Sequence, residues 1–117
     1  MTDKKLWLRD DQIRPLLPDN GACMATDRIA VDGLLVGYMY REEPIVEEDS
    51  GWRFLAGDES PEYMADTSKQ GVYAVNVIAN YDTAIIPLLD APTGAAFGRD
   101  WQTFWFQPEV PEETAKD

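Results

Sequence analysis

With 117 residues and no internal repeat, the chain has room for one domain with a core of modest size. Its 44% hydrophobic and 11% aromatic residues exclude disorder throughout. A net charge of −12 repels phosphate backbones and anionic membranes, which argues against a nucleic-acid or membrane role. The charge has two possible uses, solubility or fast encounter with a basic partner.

The opening "MTDKKLWLRDD" sets charges where a signal peptide needs an apolar stretch, and no apolar run reaches the ~18 residues that span a bilayer, so a cytoplasmic location is expected. A short helix starting near Asp10 or Asp11 is predicted, with "PDNG" at 18–21 as the turn that closes it. Trp7 and Leu8 are expected to anchor this arm, residues 1–21, on the core.

From Ala22 the pattern becomes β-like. "ACMAT" at 22–26 and "LLVGYMYR" at 34–41 read as neighbouring antiparallel strands joined at Asp32-Gly33. The second run is apolar or aromatic on both faces, which predicts a covered central strand, and its Gly37 predicts a bulge or a large side chain packed across it. Cys23, the single cysteine, is expected to be a buried structural thiol, since no histidine is present to activate it.

"REEPIVEEDSG" at 41–51 is a polar connection, and "WRFLA" at 52–56 resumes the sheet with Trp52, Phe54 and Ala56 on one face and Arg53 and Leu55 on the other. Ser60 as N-cap and Pro61 at the first helical position predict a two-turn helix ended at Gly71. "VYAVNVIANYD" carries both strand and helix signals and is assigned to a helix over 74–80. Asp82 then caps a short turn broken by Pro87. "AAFG" at 95–98 and "WQTFWF" at 101–106 are the last strands, the latter a buried strand or a dimer edge, and residues 107–117 read as a disordered acidic tail.

The absence of histidine excludes histidine-based triads, metal sites and proton relays. One cysteine cannot build a zinc site, and the acidic stretch lacks the spacing of a calcium loop, so no metal or cofactor is expected. The glycines in "GWRFLAG" match no nucleotide-binding pattern. Asp58-Glu59 beside a tryptophan strand has the residue types for acid–base work, but reads better as a solvated turn. Between Glu42 and Asp66 there are nine acidic residues and one cation, Arg53. That position favours a bidentate bridge ordering neighbouring carboxylates over an exposed ligand contact.

"VDGLLVGYMYREEP", "DSGWRFLAGDESPEYM" and "NVIANYDTAIIPLLDAPTGAAFGRD", in this order over roughly residues 22–100, resemble the immunity-protein-33-like domain family of bacteria. Characteristic positions of that family correspond to Gly37, Tyr40, Arg41, Glu42, Gly51–Phe54, Gly57, Asp58, Asn80–Asp82 and Pro87–Leu89, whereas Ala74 stands where an acidic residue is common. The resemblance implies a non-enzymatic immunity protein that occludes a toxin in the cytoplasm, and brings no catalytic set.

Together these features predict an α+β domain over residues 22–106, a mostly antiparallel sheet of four to six strands packed against two or three short helices. The expected partner surface is Tyr40, Arg41, Glu42, Asp49, Trp52, Arg53, Asp58 and Glu59, facing a basic protein toxin. A small-ligand or regulatory module using the same residues is the alternative.

Overall fold

The computed structural model describes residues 4–18 and 21–109. Six strands form one sheet: β1 (Ala22–Thr26), β2 (Tyr38–Arg41), β3 (Asp49–Leu55), β4 (Gln70–Ala74), β5 (Ala96–Arg99) and β6 (Phe106–Pro108). Their order is β4-β1-β3-β2-β5-β6, with β1 and β3 parallel and every other neighbouring pair antiparallel. Three short helices, α1 (Asp27–Ala30), α2 (Pro61–Ala65) and α3 (Val75–Tyr81), complete the expected α+β architecture.

One expectation about pairing fails. β1 and β2 are not neighbours, because Asp27–Ala30 winds into α1 and carries the chain off the sheet, leaving room for β3 between them. Asp32-Gly33 is therefore the exit of a helix, with the Gly33 amide donating to the Ile29 carbonyl at 2.9 Å, rather than a hairpin turn. β2 is also shorter than its apolar run: Leu34 and Leu35 precede the strand and are exposed, not covered.

The alternation of β3 works as read. Trp52 and Phe54 point into the core, their rings stacked 6.1 Å apart, and each fully buried side chain is worth roughly 2–3 kcal/mol. Around them pack Cys23, Ile29, Val36, Met39, Val75, Ile78 and Ile85, so α1, α3 and the 3-10 turn over Thr83–Leu88 cover this face of the sheet. Val75, Ile78 and Ala79 form the buried stripe of α3, at helical spacing. Burial raises the Cys23 thiol above its ordinary range, which keeps it protonated.

Ser60 caps α2 by accepting from the Tyr63 amide at 3.1 Å, and Pro61 takes the first helical position. The helix then stops at Ala65, since Asp66 caps a 3-10 turn over Thr67–Lys69, and Gly71 lies inside β4 instead of ending a helix. Gly37 has the large neighbour expected of it: a Cβ there would collide with the Ala56 carbonyl and come within 2.9 Å of the Trp101 ring. "WQTFWF" departs most from expectation. Residues 101–105 form a turn, and strand pairing begins only at Phe106.

Pairing then continues through Gln107 and Pro108, within the stretch read as tail, and the Glu109 amide donates to the Ala96 carbonyl at 2.8 Å. Residues 110–117 lie outside the described residues, as do Asp19 and Asn20 of the "PDNG" turn. In the N-terminal segment Asp10–Gln12 is a 3-10 turn. Trp7 rests its ring on Gly33 but stays largely exposed. Polar groups hold the segment more than apolar ones do: Asn76 and Asn80 accept from the amides of Leu16 and Arg14, and the Tyr81 hydroxyl accepts from the Leu8 amide while donating to the Ala30 carbonyl.

Candidate functional site

Residues alternate across a strand, so what the core face does not take, the other face must display. Register aligns Val72, Met24, Arg53 and Tyr40 across four strands, and Leu55 opposite Tyr38 on the same side. Met64 of α2 and Gln70 border the resulting cleft. Met24, Tyr38, Tyr40 and Leu55 are half-buried and Val72 is exposed, which makes this face an apolar and aromatic surface open to solvent. The two tyrosine rings lie 5.8 Å apart, and burial raises both phenols above their ordinary range, so they remain neutral donors.

Arg53 forms the floor of this surface. Its Nη1 and Nη2 donate to the two oxygens of Asp49 at 3.0 and 2.8 Å, and its Nε donates to Glu42 at 2.6 Å. The bidentate bridge expected from the sequence is therefore present, and the guanidinium is buried, with Arg53 only 4% exposed. Asp49 also accepts from the Ile45 and Gly51 amides, which closes the 42–48 connection onto β3. Chiefly through the Arg53 hydrogen bonds, its carboxyl is held well below the usual carboxylate range. Glu42 is different: its side chain is 50% exposed and leads into the exposed Glu43, Glu47 and Glu48, so the apolar face carries an acidic margin.

The eight expected surface residues do not stay together. Tyr40, Glu42, Asp49 and Arg53 converge on the open face, with Arg53 beneath it. Trp52 points the opposite way, into the core, and its indole N–H donates to the Leu89 carbonyl at 3.2 Å. Arg41 follows it, with its guanidinium 5.6 Å from the Trp52 ring and donating to the carbonyls of Ser50 and Ala91. Asp58 pairs with Arg28 on the surface, at the far end of β3. Glu59 ties down the chain that leaves β3, accepting from the amides of Ala56 and Gly57 and from the buried Thr26 hydroxyl.

Sequence reasoning missed Met24, Leu55, Met64 and Gln70. The signal for Leu55 was available in the alternation of β3, whereas Met24 needed the parallel pairing with that strand. Chemically, the arrangement offers fixed charges and neutral tyrosines. Among the described residues no group of three His, Cys, Asp or Glu side chains is placed to hold a metal ion.

The family model for the Immunity protein Imm33 domain matches residues 23–109, from β1 through the last strand. It thus extends past the segment whose resemblance was legible, and takes in the turn at 101–105. Neither the curated proteins nor the solved structures yield a match to this chain.

Proposed function

The chain belongs to the Imm33 immunity-protein domain family, and from that premise we propose that it binds a cognate protein toxin in the cytoplasm and neutralises it by occlusion, without catalysing a reaction. One observation supports this most: an open sheet face of apolar and tyrosine side chains, edged by the exposed carboxylates of the 42–48 connection. An aromatic centre supplies affinity, and a charged rim supplies speed of encounter. A toxin whose active site binds an anionic substrate presents basic groups, and this margin is its electrostatic complement. No helix among the described residues is long and apolar enough to cross a membrane. The cleft above Arg53, at about 170 Å³, is by itself small for a metabolite site.

The test begins with affinity capture by the tagged full chain from lysate of its native host, elution in rising salt, and purification of the captured protein. Binding kinetics are then measured for wild type and for a Glu43→Lys/Glu47→Lys/Glu48→Lys variant, which spares Glu42 because that residue holds Arg53. An association rate at least tenfold slower at low salt, with a flatter salt dependence, is expected. An unchanged rate in the folded variant removes the acidic margin from the interface.

A further inference from the structure

Between β5 and β6 the chain turns over in a loop that is tightly bonded at its base and bare at its tip. The Asp100 amide donates to the Trp105 carbonyl at 2.9 Å, the Phe104 amide to the Asp100 carbonyl at 2.6 Å, and the Gln102 amide to the Asp100 carboxylate at 2.9 Å. Phe104 has φ +64°, the one non-glycine residue in the left-handed region among the described residues. A bulky aromatic residue is disfavoured in that conformation, and such strain collects where a surface is used.

The strain is accompanied by display. Trp105 is 74% exposed, Phe104 56% and Trp101 49%. Trp101 is the fixed member: it lies across Gly37, meets Phe104 edge-to-face at 5.9 Å, and has the Arg99 guanidinium 5.6 Å from its ring. On one side it closes an apolar cleft of about 370 Å³ with the exposed Leu34 and Leu35, and on the other it lines a second cleft with Tyr38 and Leu55 of the open sheet face. Three large rings exposed together on one loop are unusual in a free domain and common in the centre of an interface.

We propose that this loop is the anchor of the toxin interface: Phe104 and Trp105 enter an apolar depression on a protein partner, one bordered by cationic side chains. The proposal rests on the toxin-binding function proposed above, and adds the segment that carries the affinity. Charge selects the occupant. Glu109 lines the cleft on the sheet side and Asp100 lies in the loop itself, within a chain of net charge −12. A second copy would bring the same acidic groups against them, and an anionic membrane or a nucleic acid would be repelled outright. A basic protein surface pairs with those carboxylates while its apolar centre receives the rings.

Full-length protein carrying the photocrosslinker p-benzoylphenylalanine in place of Trp105, or separately of Val72 on the open face, is irradiated in the host. The adducts are identified by mass spectrometry, and the pair is rebuilt from purified proteins. Both positions are expected to label one and the same basic protein, and Trp105→Ser to weaken the rebuilt complex about 30-fold or more, mainly through faster dissociation. Phe104→Gly separates binding from folding, since glycine accepts the positive φ: stability should rise or hold while affinity falls. Label at position 72 with none at 105, or a different protein at 105, overturns the anchor and leaves the proposed function standing. A second copy of the chain or lipid at 105, or full affinity in Trp105→Ser, overturns it equally. No adduct at either position removes the anchor and the proposed function together.

Discussion

Arg53 shows how one cation organises an acidic chain. Side chains with 5% and 10% of their surface exposed, Arg53 and Asp49, have exchanged water for each other, and neither is tolerable alone. Arg53→Met is expected to cost about 3 kcal/mol in urea unfolding, because it strands the Asp49 charge, and the Arg53→Met/Asp49→Leu double variant to recover more than half of that loss. If the double variant is as unstable as the single, the cost lies in packing and not in the unpaired charge. The same pair fixes a pH dependence. Asp49 has a folded-state pKa depressed below its unfolded value, so its contribution is complete above the unfolded carboxylate range, about 4, and is lost as pH falls through the folded value. The stability gap between wild type and Asp49→Asn should therefore be constant from pH 7 to 5 and narrow below about pH 4. A gap that widens on acidification contradicts this assignment. Arg53 and its bridge were legible because a single cation among nine carboxylates has few other fates. Trp52 did not belong on the same surface, since alternation along β3 sets it on the face opposite Arg53, and that face is the core.

At the level of elements, caps and alternation were readable and partners were not. Ser60 with Pro61, the stripe of α3 and the capping by Asp82 are all local signals, decided within four residues of chain. The placement of β3 between β1 and β2 is set by contacts far apart in sequence, and the short α1 that permits it has no amphipathic length to announce it. "WQTFWF" misled for a related reason: aromatic content favours strands only where a neighbour exists to cover the rings. Asp82 marks the boundary between the two kinds of information. Its N-cap bond to Ala84 is local, yet it also accepts from the Val36 amide at 3.0 Å and from Arg99 at 2.8 Å, joining two further segments in the interior. Asp82→Ala should accordingly cost about 4 kcal/mol by stranding the buried Arg99, against about 1 kcal/mol for removing the local cap in Ser60→Ala. Equal losses in thermal or urea unfolding would mean that Asp82 acts as a cap alone.

For the whole molecule, the sheet divides labour between its faces. One is closed by α1, α3 and the 3-10 turn at 83–88, and the other carries tyrosines, methionines and Leu55 beside an acidic margin. This asymmetry, with a net charge of −12, suits recognition of a basic protein more than chemistry on a small molecule. Neutralisation is the most direct test of that claim. The protein captured from the host is expressed in a naive bacterial strain, alone and together with this chain, and growth is followed. Arrest by the captured protein alone and full growth when wild type is co-expressed are the predicted results. A captured protein that is harmless by itself, or one that arrests growth even when bound one-to-one, would contradict the account.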